Sequence, residues 1–136
     1  MSAKARKSEE AAAPFGEWLR ALGKLIDEAE GWTKNQGWTV AREAVVVSEP
    51  QQAPYRADVL RIKMPKGEVR LEPIGWKFIG ADGRVDLLAW SSLNRVKLVM
   101  RGGEWQVFTD SNIRLKDKPW GEETFRDLVT DLDESA

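Results

Sequence analysis

The side chains that could carry covalent or proton-transfer chemistry here are carboxylates, lysines and hydroxyls, because the chain holds neither histidine nor cysteine. That removes the usual base near neutral pH, the thiolate nucleophile and the two best ligands for zinc or copper. Two carboxylate pairs could act as acid and base: Asp82 with Asp86, and Glu122 with Glu123. Each has a simpler reading. Asp82 suits a turn, and Glu122 and Glu123 suit a helix start, where the helix dipole favours negative charge. Sugar cleavage would further need both members of a pair to face one cleft.

A metal-dependent nuclease can work without histidine, using an acidic residue on one strand and an acidic-x-lysine run on the next. Asp58 could serve as the first, but Arg61-Ile62-Lys63 and Arg95-Val96-Lys97 carry arginine where the second carboxylate should hold the metal. Ser91, Ser92 and Ser111 have no histidine to activate them. Gly102-Gly103 opens no helix and leads to no Gly-Lys-Ser/Thr, so it is not a phosphate cradle. No catalytic, metal or cofactor site is expected, and the chain reads as a non-enzyme.

Binding is the remaining signal. Seven tryptophans are spread along 136 residues. Arg61, Lys63, Arg70, Arg84, Arg95 and Lys97 fall on alternating positions whose opposite faces are apolar, so several share the solvent side of a sheet. With an exposed Trp, such a face suits a protein interface, or a stacking platform with phosphate contacts for single-stranded nucleic acid. The competing reading is a solvated face on which Arg70 and Arg84 pair with Glu72 and Asp86 across strands. Net charge divides unevenly: residues 55 to 101 hold ten Lys/Arg against five Asp/Glu, and residues 102 to 136 hold four against nine. An acidic C-terminal helix folding back onto a basic sheet would explain that without any partner.

The elements that position these groups are legible from periodicity. Residues 1–12 lack large apolar groups and read as a mobile tail, leaving 13–136 as one domain. Phe15, Trp18, Leu19, Leu22, Leu25, Ile26 and Ala29 recur at helical spacing, predicting an amphipathic helix over 14–30 with Pro14 in its first turn and Gly31 past its end. A strand over 38–48 follows, broken by Glu49 to Pro54, and then an alternating strand over 58–64. Pro65-Lys66-Gly67, Asp82-Gly83, Ser91 to Asn94 and Gly102-Gly103 read as hairpin turns joining 68–71, 76–79, 85–88, 96–100 and 105–109. Pro73 and Gly75 predict a bulge between Leu71 and Trp76. Phe125, Leu128, Val129 and Leu132 define a second helix after Pro119, with residues 131–136 fraying.

The fold class is therefore α+β: an N-terminal amphipathic helix, a curved antiparallel meander of five or six strands, and a C-terminal helix. By strand parity Trp90 shares a face with Arg84 and Asp86 and should be the most exposed of the strand tryptophans. Trp18 should be core, Trp32 should cover the first helix's end, and Trp120 should staple the second helix. The expectation is a small cytoplasmic interaction module, binding a protein partner or itself through Arg61, Lys63, Arg84, Trp90, Arg95 and Lys97, with single-stranded nucleic acid as the alternative ligand. No apolar run is long enough for a membrane-spanning helix.

Overall fold

The computed structural model describes residues 3–50, 52–76 and 82–135, with side chains described from Pro14 apart from those gaps. One long helix, α1 (Ala3–Asn35), leads into six strands, β1 (Thr39–Glu49), β2 (Gln52–Lys63), β3 (Glu68–Gly75), β4 (Gly83–Ala89), β5 (Arg95–Arg101) and β6 (Glu104–Thr109), and a closing helix α2 (Glu122–Glu134). The strands pair in sequence order, each antiparallel to the next, as a six-stranded open meander.

Helix α1 is longer at both ends than the apolar pattern predicts. Pro14 lies inside it, and its backbone reaches back through residues expected to form a tail. Gly31 does not stop it, since nothing at that position requires a left-handed backbone. The stop comes at Gly37, whose φ of +75° lets its amide reach the Lys34 carbonyl while Trp38 bonds to the Thr33 carbonyl. Trp32 thus sits within the helix, packed on Trp120 and Phe125.

The core fills one face of the sheet. Trp18, Leu22, Leu25, Ile26 and Ala29 from α1 and Phe125, Leu128, Val129 and Leu132 from α2 meet Leu60, Ile62, Val69, Leu71, Val85, Leu87, Leu98 and Val107. Register explains the set: Leu60 faces Leu71, Leu71 faces Leu87, and Leu98 faces Val107, so these side chains project together. Arg42 on β1 fastens α1 to this layer, bonding Asp27 and Glu30 at 2.6 Å each and Asp58 on β2 at 3.2 Å. Asp58, the sequence's nearest approach to a metal ligand, is thereby an ion-pair partner.

Three details differ from the sequence reading. Strand β2 begins at Gln52, and Pro54 lies within it. A proline is tolerated there because β2 pairs with β3 only from Leu60 onward, and the β1 register shifts between Val47 and Glu49, opposite Pro54. Gly83 is not a turn residue with positive φ but the first residue of β4, opposite Met100. Asp82, the other residue of that expected turn, donates its amide hydrogen to the Met100 carbonyl at 2.7 Å. The strand expected over 76–79 lies, beyond Trp76, outside the described residues. The end of α2 does not fray: Asp133 accepts the Lys66 amide at 3.2 Å, and Asn94 donates to the Ser135 hydroxyl at 3.2 Å.

The two sheet edges are unlike. The outer side of β6 is covered by the following segment, with the Leu115 amide on the Val107 carbonyl and the Thr109 amide on the Ile113 carbonyl, both 2.8 Å. Among the described residues, β1 pairs only with β2. The expected bulge at Pro73 to Gly75 is present as a register shift.

Candidate functional site

With both helices on one face, the opposite face of the sheet is uncovered, and alternation places the basic residues there. One row across it runs Arg61, Arg70, Leu88, Arg95, and the next runs Glu72, Asp86, Lys97, Phe108. Direct cross-strand neighbours are therefore like-charged twice, Arg61 beside Arg70 and Glu72 beside Asp86, an arrangement that repels unless other charges intervene.

They do intervene, along the strands rather than across them. Glu68, two residues before Arg70 on β3, accepts a hydrogen bond from Arg70 and another from Arg61 at 3.1 Å. Arg61 also lies 3.5 Å from Glu43. Burial pushes the Glu68 carboxyl up, but the bonds from Arg70 and Arg61 together outweigh it and hold the group below its ordinary range. Asp86, 1% exposed, accepts two bonds from Arg84 at 2.8 Å each and one from Arg95 at 3.1 Å. The bond to Asp86 holds the Arg84 guanidinium above its ordinary pKa against the opposing effect of burial. Lys97 donates to the Asp110 carbonyl at 2.9 Å and to Asn112 at 2.8 Å.

Neutralisation thus comes from Glu43, Glu68 and Asp86 on the sheet and from the loop after β6. The C-terminal helix packs on the other face and does not supply it. The expected pairing of Arg70 with Glu72 is replaced by Arg70 with Glu68.

Trp90 follows β4 in the same parity as Arg84 and Asp86, and its amide bonds the Glu68 carbonyl at 2.9 Å. Trp90 is 48% exposed, and the Arg70 guanidinium lies over its ring with its carbon 3.4 Å from the ring centroid. Lys63, at the end of β2 opposite Glu68, is exposed. The structure therefore gathers Arg61, Lys63, Arg70 and Trp90 at one end of the face, and Arg84, Arg95 and Lys97 around Asp86 and the loop beside it. Leu88 and Val99 are buried on this uncovered face, Leu88 in register between Arg70 and Arg95 and Val99 opposite Arg84.

Chemically the face offers four arginines bonded to carboxylates, Lys63, a Lys97 bonded to the loop after β6, and two aromatic rings, Trp90 under Arg70 and Phe108 under Arg101. Among the described residues no cluster of three or more His, Cys, Asp or Glu could hold a metal, and no helix is long and apolar enough to cross a membrane. Arg70 and Glu68 are the members that alternation alone underweighted. Their signal is the i, i+2 spacing Glu68-x-Arg70, which repeats in opposite polarity as Arg84-x-Asp86.

Comparison with known proteins finds no matching family model, no matching curated protein and no matching solved structure.

Proposed function

We propose that this protein is a small, non-catalytic, cytoplasmic interaction module whose uncovered sheet face binds a protein partner, with the Trp90 and Arg70 stack at the centre of the contact. The observation that carries this reading is that stack: a half-exposed indole held flat beneath a guanidinium that Glu68 already fixes. Tryptophan and arginine dominate the energetics of protein interfaces. A side chain fixed before binding loses little entropy on contact.

Single-stranded nucleic acid is the weaker reading, because Arg61, Arg84, Arg95 and Lys97 are bonded to protein acceptors. A phosphate would have to displace carboxylates from the arginines and a carbonyl and an amide oxygen from Lys97. A photoreactive phenylalanine analogue at the exposed position 63 beside the stack, with the same group at Leu19 on the helix side as control, tests the proposal in cells. A single protein captured at position 63, lost on Trp90→Ala and on Arg70→Ala and absent at position 19, supports it. Capture of a second copy would identify the partner as the protein itself, with sedimentation of Trp90→Ala as the check. No specific capture, together with salt-dependent retention of a labelled oligonucleotide, would replace it by the nucleic-acid reading.

A further inference from the structure

Alternate residues of an antiparallel strand turn their backbone groups to opposite neighbours. Strand β1 has a neighbour on one side only among the described residues, so half of its 11 residues present amides and carbonyls that β2 does not use. Proteins usually blunt such an edge with lysine, proline, a bulge or a very short strand. Over residues 39–47 β1 carries no lysine or proline, and its register with β2 is unbroken until the shift between Val47 and Glu49. An inward-pointing charge also deters pairing, but Arg42 is bonded to Asp27, Glu30 and Asp58. Residues 44–47 are uncharged and mostly β-branched, the composition that pairs most readily.

Beside this edge, on the helix side, a groove of about 450 Å³ runs between Leu19, Leu22, Gly23 and Ile26 of α1 and Arg42 and Ala44 of β1. Leu19 at its rim is 37% exposed. Val46, 64% exposed, lies two residues beyond Ala44 and so points to the same side. An apolar knob thus stands next to an apolar groove that it does not fill. A two-fold axis perpendicular to the sheet would carry each copy's Val46 to the other's groove.

Charge narrows the register. When one residue lies on the axis, residues equally far before and after it face each other. Among registers that pair more than half of the strand, Arg42 or Glu43 on the axis would set like charges face to face, and Val46 on the axis would set Glu43 against Glu49. Ala44 or Val45 on the axis avoids every such pair. Either places the partner's Val46 opposite Arg42 or Ala44, both of which line the groove.

We propose that β1 is a self-association edge, on which a second copy pairs antiparallel, β1 to β1, with Ala44 or Val45 on the two-fold axis and Val46 of each copy seated at the other's groove. The contact does not use the Trp90 and Arg70 stack and stands independently of it.

Sedimentation equilibrium of the full chain should show a dimer with a Kd in roughly the micromolar range, as suits a small interface. Val46→Lys, at an exposed position, should raise that Kd about tenfold or more with an unchanged unfolding midpoint in dilute solution, and Trp90→Ala should leave the Kd as it is. The chain has no cysteine, so a single introduced thiol reports the geometry. Ala44→Cys and Val45→Cys, each oxidised mildly, should link two copies at whichever residue lies on the axis, because opposed Cα atoms there are about 4.5–5.5 Å apart, within disulfide reach. Glu104→Cys on β6 should stay unlinked. A monomer at all concentrations up to about 1 mM, a dimer indifferent to Val46→Lys or dissolved by Trp90→Ala, failure of both β1 thiols to link, or equal linkage at position 104 would overturn the proposal.

Discussion

Gly83 leaves the space of its missing side chain to Trp18: a Cβ built at Gly83 would lie 2.3 Å from the indole ring. Trp18 is 3% exposed, pinned by Tyr55 and packed against Trp105 at 6.0 Å, so it has nowhere to retreat. Gly83→Ala should therefore destabilise the protein by about 1–3 kcal/mol, the usual cost of overpacking a filled core. Urea unfolding should show a lower midpoint at unchanged m. A loss within experimental error would mean that α1 can shift to admit a methyl group.

Tyr55 is the only tyrosine in the chain, so absorbance near 295 nm reads its ionisation alone. Burial, and then the hydrogen bond to Glu49, push its pKa up to about 12 from the ordinary value of 10.0. The raised folded-state value means that this contribution to stability is complete below pH 10 and is lost as pH rises from 10 to 12. Tyr55→Phe should flatten that part of the stability profile. Glu49→Gln should lower the spectroscopic midpoint while leaving it above that of the unfolded chain.

Asp86 receives two bonds from Arg84 and one from Arg95, and the two arginines should differ accordingly. Arg84→Ala leaves a nearly fully buried carboxylate with one guanidinium and should cost about 2–3 kcal/mol; Arg95→Ala should cost about 1–2. The double variant should cost more than the sum if each arginine compensates for loss of the other, which a double-mutant cycle reads. Equal single costs would show that Asp86 relies on both alike.

Trp90→Ala should change stability by no more than about 1 kcal/mol, the usual contribution of a partly exposed cation-π stack, and Arg70→Ala by about 1–2 kcal/mol, since it also removes the hydrogen bond to Glu68. Their effect on capture of the proposed partner should be far larger, at about 2 kcal/mol or more, if the stack is the centre of the contact. Thermal unfolding and binding measured on the same variants separate the two.

Much of the architecture could be read directly. Helical spacing from Trp18 to Ala29 found the buried face of α1, and Gly102-Gly103 forms its hairpin with both φ angles positive. Trp120 meets Phe125 at 6.0 Å across the start of α2, as the staple pattern required. Parity alone singled out Trp90 as exposed. What escaped depends on partners distant in sequence. Gly83 is small because Trp18 arrives from another element, and Pro54 sits in a strand because its neighbours leave that stretch partly unpaired. Alternation showed that Arg61, Arg70 and Arg84 share a face, but not that Glu68 and Asp86 would engage them along the strand.

The unequal edges of the sheet set a limit on assembly. A meander open on both sides can add copies without end, each new strand offering the next a free backbone. Here the segment through Ile113 and Leu115 covers the end of β6 at Val107 and Thr109, and among the described residues β1 is the outer strand with no such cover. Two copies joined antiparallel through β1 would form a two-fold pair whose outer β6 strands are both covered by that segment, which disfavours continued growth at those ends.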